Sequence, residues 1–249
     1  MKKESIFMAV AAFSSAAAFL FAALSQFLVL TFFLSSPVTG ADAAATTDNV
    51  IAQYAKAVGD RRSLEKNWAL ELRGHCESSV AEESGPIQVI VQGPKIFMQL
   101  SDGDLLMGVN QDTFWRHPRG GEILKIPAGA MAETVAIFDS ARVLHWKEKF
   151  PAISVTGTQQ VDGSDAYVIE TKPGDPSTER LFIDRRSGLL IREEILAKHE
   201  VFTFADFHLV DGIQVPFTIH QSTPGPSYTY KFSEAKHVAE VDDAMFAPR

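Results

Sequence analysis

From Trp68 onward, apolar and polar residues alternate with a period of two, and turn formers break the alternation at short intervals. Successive side chains of a strand point to opposite faces, so the pattern predicts strands with one buried face. Trp68, Leu70 and Leu72 fall on one face, with Glu71 and Arg73 on the other. The runs PIQVIVQGP, KIFMQLSDGDLLMGVN and DTFWRH come next, parted by Gly93-Pro94 and Asp102-Gly103. A second series repeats the alternation in ISVTGTQQV, DAYVIET, ERLFID, LLIREE, HEVFTFADFHLV, IQVPFTIHQS and YTYKFSEAKH. Asp162-Gly163 and Asp211-Gly212 lie between its members, and an Asp-Gly pair accepts the positive φ angles of a tight hairpin. In DRRSGLL, Gly188 offers the left-handed position, and Leu181 and Ile183 share a face. Pro216 interrupts its run, which predicts an edge strand or a bulge there. No helical crossover separates successive strands, so the series predicts one large antiparallel sheet.

Two segments depart from this rhythm. TTDNVIAQYAKAVGD predicts a helix capped by Thr47 or Asp48 and stopped at Gly59, with Val50, Ile51, Tyr54 and Val58 at helical spacing. In PAGAMAETVAIFDSARVLHWKEKF the apolar residues form several rows: Met131, Val135 and Phe138; Ile137, Ala141 and Leu144; Val143, Trp146 and Phe150. A helix apolar nearly all round must bury more than one side, so the segment is expected inside a curved sheet, with Asp139-Ser140 dividing it into two short helices. An ordinary core helix with a wide apolar face is the other reading.

The first residues have a different character. Between Glu4 and Asp42 there is no charge, two lysines precede this stretch, and small residues surround Ala41-Asp42-Ala43. A basic start, an apolar middle and an A-x-A site predict an export signal over residues 1–43, with an exported domain over 44–249. The apolar stretch 6–34 exceeds the roughly 7–15 residues of a usual signal, so an uncleaved anchor tethering the domain to the inner membrane is the alternative. Either way Lys2 and Lys3 keep the N-terminus cytoplasmic and the domain periplasmic.

Charge and chemistry narrow the function. With 31 acidic against 23 basic residues the chain is a poor partner for nucleic acid. A single cysteine, Cys76, excludes an intrachain disulfide and reads as a small buried hydrophobe. The seven histidines show no metal-binding spacing: His199-Glu200 begins H-E-x-x-H, but Thr203 stands where the second His belongs. There is no G-x-S-x-G elbow and no Gly-rich phosphate loop, and Glu193 and Glu194, adjacent on a strand, cannot flank one bond. Neither an enzyme nor a cofactor is predicted.

Several stretches, in order, carry a family likeness. GPKIFMQLSDGDLLMGVNQDTFWRH resembles a segment of the outer-membrane lipoprotein-sorting carriers, the LolA-like proteins. YVIETKPGDPSTERLFIDRRSGLLIREE, FADFHLVDGIQVPFTI and the closing VDDAMFAPR are similar to related periplasmic proteins of that superfamily. The resemblance implies a mainly β (α+β) fold: a strongly curved, incomplete antiparallel β-barrel, with helices plugging the concave face beside an apolar cavity that holds acyl chains. It implies as partners a lipid, an acyl chain or a lipoprotein, with membrane-bound donor or acceptor proteins.

An apolar-ligand carrier would line its cavity from several strands. The inward candidates are Trp68, Leu70, Leu72, Phe97, Phe114, Leu181, Ile183, Phe202, Phe204 and Phe217, joined by Met131, Val135 and Phe138 from the middle segment. Core packing and ligand contact are both open for each, and parity leaves open which face is concave. Trp115 and Trp146 are candidates for the rim. Two other readings stand beside the carrier: a membrane-anchored interaction module without transport activity, and a hydrolase whose site is assembled in space from scattered His and acid.

Overall fold

The computed structural model describes residues 45–249 apart from 67, 101–104, 111–112, 129–135 and 240. The signal or anchor reading of residues 1–43, the Asp102-Gly103 turn, and Met131 and Val135 lie outside the described residues. Among the described residues no helix is long and apolar enough to cross a membrane.

Helix α1 (Thr47–Val58) and the single turn α2 (Arg61–Leu64) precede the strands. Strands β1 (Ala69–Ser78), β2 (Gly85–Gln92), β3 (Lys95–Leu100), β4 (Leu105–Asn110), β5 (Thr113–Pro118) and β6 (Leu124–Pro127) form the first series. A connection comes next that holds the 3-10 helix Ser140–His145 and the short α3 (Trp146–Lys149). The second series is β7 (Ser154–Val161), β8 (Ser164–Glu170), β9 (Glu179–Asp184), β10 (Leu190–Ile195), β11 (Glu200–Val210), β12 (Ile213–Ser222) and β13 (Tyr228–Val238). Among the described residues all thirteen strands belong to one antiparallel sheet, in the order β6-β5-β4-β3-β2-β1-β13-β12-β11-β10-β9-β8-β7. Each series is a meander, and the two are joined where β1 pairs with β13 from Ala69↔Val238 to Ser78↔Tyr228. The sheet is not closed: β6 and β7 are its edges, and the connection that carries Ser140–His145 and α3 runs from one edge to the other.

Local chemistry accounts for the turns. Asp162 and Gly163 have φ of 48° and 85°, and Asp211 and Gly212 have 50° and 87°, the pair of positive angles that a two-residue hairpin needs. At the β9–β10 turn Gly188 adopts φ 74°, and the Asp184 carboxylate accepts from the Ser187 N–H at 2.7 Å and hydroxyl at 2.6 Å. This turn rests on α1, whose Val50, Ile51, Tyr54 and Val58 are its buried face, as their spacing predicts.

The cap of α1 lies one residue earlier than expected: the Thr46 hydroxyl accepts from the Asn49 N–H. Thr47 instead accepts from the N–H of Val155 on the edge strand β7, at 3.0 Å, so its oxygen serves the sheet rather than its own helix.

Period-two alternation separates the two faces. Leu70 and Leu72 enter a large apolar cluster that also takes residues from β2–β4 and β8–β13, together with Tyr54, Phe138, Val143 and Trp146. Ala69, Ile90, Phe97, Trp115 and Phe246 form a smaller cluster of their own, with Val238, Val241 and Met245 against it. Phe97 is therefore across the sheet from Leu70, Leu72, Leu181, Ile183, Phe202 and Phe204. Ile96, Met98 and Leu100 take the large cluster, so alternation obliges Phe97 to point away, on the face it shares with Lys95 and Gln99.

The C-terminal segment covers this smaller cluster on the second face. Asp242 caps the 3-10 helix Asp243–Phe246, which seats Phe246 with no exposure, and the Trp115 indole N–H donates to the Phe246 carbonyl at 2.8 Å. Trp115 is thus fully buried rather than a rim residue.

Pro216 also differs from expectation, for it sits within an interior strand and no register shift marks a bulge. Its position is opposite Phe207 of β11, just past Thr218, where the ladder between β12 and β13 stops. The missing N–H has no ladder acceptor there, so the proline costs no sheet bond.

Cys76 is fully buried, and burial pushes its thiol from 9.0 up to about 12. Between those values an unfolded chain holds fewer protons than the folded one, so stability from this residue is present below pH 9 and declines as pH rises toward 12. A thiol-reactive chromophore at pH 8 is expected to leave the native protein unlabelled and to label it on addition of denaturant, with the urea midpoint falling above pH 9.

Candidate functional site

An open cavity of about 830 Å³ lies beside the large apolar cluster. Its described walls come from α2 (Leu64), the residue before β1 (Trp68), the β2–β3 turn (Gly93, Pro94), β4 (Val109) and the edge-to-edge connection (Ala128, Ala136, Ala141, Leu144, Trp146, Phe150). Charged side chains share this lining: Arg61, Glu65 and Lys66 on α2 and beyond it, and His145, Glu148 and Lys149 around α3.

The connection supplies the largest part of the wall, and three devices hold it. Its Asp139 carboxylate caps the 3-10 helix by accepting from the Ala141 N–H at 2.9 Å. After Asp139-Ser140, where a division into two short helices was expected, come the 3-10 turn Ser140–His145 and the short α3, while most of the segment before it lies outside the described residues. Trp146 stacks on Tyr54 of α1 at 5.0 Å between ring centroids, and is buried rather than a rim residue. Arg142 makes a bidentate pair with Glu193 of β10, Nη1 to Oε1 at 3.1 Å and Nη2 to Oε2 at 2.5 Å.

Glu193 has no exposed surface and stands directly across from Leu181 of β9 and Phe202 of β11, both in the large cluster. A carboxylate in such a place requires a paired cation. Burial works against the charge of Arg142, but the Glu193 carboxylate outweighs it and raises the guanidinium's pKa above the usual value. Burial likewise pushes the nearby Tyr54 hydroxyl up to about 12, with Arg142 opposing, and raises the Asp139 carboxyl above its ordinary range. Glu194 points the other way and meets Arg192 at 2.6 Å, so the two adjacent glutamates never share a site.

The sequence-predicted residues divide into groups. Trp68 lines the large cavity, and with Leu70 and Phe138 it also borders a cleft of about 40 Å³. Phe204 borders another of about 20 Å³. Leu72, Leu181, Ile183 and Phe202 are packed in the large cluster with at most 2 % exposure, and Phe114 and Phe217 pack half-buried against it. Phe97 is on the opposite face.

Arg142, Val109, Pro94 and the alanines of the connection were not among the candidates. The many-sided apolar pattern of the connection was the signal for its wall residues; Arg142 had none, because its partner is 51 residues away in sequence.

The histidines are spread over separate elements: His237 on Trp68 and Asp211, His208 on Asp206 and Phe217, His220 on Thr229, His117 on backbone carbonyls. Among the described residues no group of three or more His, Cys, Asp or Glu is placed to hold a metal ion.

No family model and no curated protein matches the chain. Its fold has counterparts among solved structures. A LolA superfamily protein from Nitrosomonas europaea aligns over 82% of this chain and 99% of its own, with TM-score 0.53 and 13% identity. A candidate outer membrane lipoprotein-sorting protein domain from Vibrio parahaemolyticus aligns over 79% and 97%, with TM-score 0.52 and 14% identity. A DUF1329 family protein from Desulfovibrio piger aligns over 80% and 96%, with TM-score 0.52 and 11% identity. At these identities the likeness is one of fold: a mainly β, unclosed antiparallel sheet of the LolA type.

Proposed function

We propose that this chain is an exported binding protein that carries an acyl chain, or a lipid or lipoprotein bearing one, in the cavity beside the edge-to-edge connection. The observation that carries the reading is that open space of about 830 Å³, walled by Leu64, Trp68, Val109, Leu144, Trp146 and Phe150. This is within the roughly 300–1,000 Å³ of small-molecule sites. In the same reading the sheet bends around Phe138, Val143 and Trp146, which belong to one cluster with residues of both strand series. Residues 1–43 act as the export signal, and an uncleaved segment 6–34 would tether the carrier to the inner membrane.

Acyl burial supports binding without any point contact. At about 0.8 kcal/mol per methylene, a chain of ~14 carbons gains roughly 11 kcal/mol gross. Association takes back roughly 4 kcal/mol or more, which places the affinity near the micromolar range. Such a site needs walls and a mouth, and no catalytic group.

The test is displacement of a neutral apolar dye, N-phenyl-1-naphthylamine, by a saturated fatty acid, in wild type and in Ala141→Phe. Ala141 is half-buried in the wall, so the larger ring is expected to fill the space. Wild type should release the dye at micromolar fatty acid, and the variant should bind dye and fatty acid at least about tenfold more weakly while unfolding cooperatively. Unchanged binding in the variant would place the ligand elsewhere.

A further inference from the structure

We propose that the cavity selects an amphiphile with an anionic headgroup, a carboxylate or a phosphate, which Lys66 and Lys149 hold at the solvent end. The proposal rests on the reading of this cavity as the ligand site, and adds the chemistry of the end that the acyl chain does not define.

The charges of the lining are not alike. At the mouth Glu65 is taken by Arg61 at 2.6 Å, and Glu148 faces His145 at 3.5 Å. Deeper in, Asp139 spends its carboxylate on the Ala141 N–H, Arg142 is held by Glu193, and the buried Glu179 carboxylate also favours the Arg142 charge. Lys66 and Lys149 are different. Both are exposed, both line the cavity, and neither has a carboxylate within ion-pair distance among the described residues.

Each ammonium instead lies against an aromatic ring of the same wall, Lys66 Nζ 4.1 Å from the centroid of Trp68 and Lys149 Nζ 4.8 Å from that of Phe150. An aromatic face attracts a cation without neutralising it, so both lysines keep hydrogen-bond donors for an anion. Their stems also cover apolar surface at the place where a hydrocarbon tail would emerge. The described lining carries four carboxylates, Glu65, Asp139, Glu148 and Glu179, against Arg61, Lys66, Arg142 and Lys149, so in a chain of formal net charge −8 it is locally balanced, and Lys66 and Lys149 are the two cations of it that no carboxylate holds among the described residues.

The experiment uses one chain length and several headgroups: hexadecanoate, hexadecyl phosphate, hexadecanol and hexadecyltrimethylammonium, each displacing N-phenyl-1-naphthylamine from the exported domain at low ionic strength. Wild type is expected to hold at least one of the two anions about fivefold more tightly than the alcohol, and the ammonium compound no better than the alcohol. The tighter of the anions then identifies the headgroup.

In the double variant Lys66→Gln, Lys149→Gln the preference should fall to near one, with the alcohol's affinity unchanged. Lys66→Arg, Lys149→Arg should retain it, and about 0.5 M salt should weaken it in wild type. Equal affinity for anion and alcohol in wild type, or a preference that survives the glutamine substitutions, would overturn the proposal while leaving the acyl site in place. Failure of all four compounds to displace the dye would instead overturn the acyl site, and the headgroup assignment with it.

Discussion

Glu193→Leu is expected to destabilise the protein by about 3–5 kcal/mol, the cost of leaving one member of a buried ion pair without its partner. Arg142 would remain in place with 12% of its side chain exposed, facing the hydrocarbon of the substituted leucine instead of a carboxylate. Arg142→Met should be comparably severe, since it leaves a carboxylate with no exposed surface among Leu181 and Phe202. The double variant Arg142→Met, Glu193→Leu should recover most of that loss, because two apolar side chains of similar size satisfy each other where a lone charge is not satisfied. Urea unfolding of the four proteins at pH 7 gives the cycle directly. Additive losses in the double variant would mean that the pair contributes nothing as a pair.

The same pair bears on function. It ties Ser140–His145 to β10, and that segment carries Ala141 and Leu144 of the cavity wall. The double variant therefore separates two roles. Stability is expected to return, and any change in dye binding that persists reports on how the connection is positioned rather than on how well the protein folds.

Gly74→Ala should lower the thermal midpoint by about 6–12 °C, corresponding to roughly 3 kcal/mol in a domain of this size. A Cβ at this position would stand 2.0 Å from the Lys231 carbonyl oxygen and 2.6 Å from the Phe232 Cα. Both are backbone atoms of β13, which cannot swing aside as a flexible side chain could. The register between β1 and β13 shifts between Arg73 and Gly74, and this ladder is the one that unites the two strand series. A local collision there strains the seam of the whole sheet. Gly93→Ala is the control: its φ is +54°, but an added Cβ meets nothing within 4 Å, so only the roughly 1–2 kcal/mol of the left-handed conformation is at stake. Equal midpoints for the two variants would show that the close approach at Gly74 is easily relaxed.

Much of the architecture was legible because its causes are local. The positive-φ turns at Asp162-Gly163, Asp211-Gly212 and Gly188 arise from residues within a few positions of one another. The buried face of α1 comes from helical spacing, and the shared face of Leu181 and Ile183 from alternation. Alternation alone set Phe97 apart from Ile96, Met98 and Leu100, on the face of Lys95 and Gln99; what was not legible is that the docking of Phe246 and Met245 buries it there. The cap at Thr46 rather than Thr47 was equally remote: Val155, 108 residues away, takes the second hydroxyl.

The candidate site divides along the same line. A many-sided apolar segment between two strand series already meant that something must be packed on several of its sides, and Phe138, Val143, Trp146 and Phe150 are buried accordingly. That Leu72, Leu181, Ile183 and Phe202 fill core while Val109 and Pro94 border open space depends on how far apart the walls stand, which alternation does not encode.

By itself, then, the amino-acid order determined the strands, their turns, the face each residue takes wherever one face is polar, and the absence of a local catalytic or metal motif. These are consequences of neighbouring residues and of a period of two or 3.6. The tertiary structure alone decided that β1 pairs with β13, that Arg142 finds Glu193, that the C-terminal segment buries Phe97 and Trp115 on the second face, and that Lys66 and Lys149 line one cavity. Each of these unites residues far apart in the chain, and such contacts are set by the packing of the whole sheet, where no short-range rule applies.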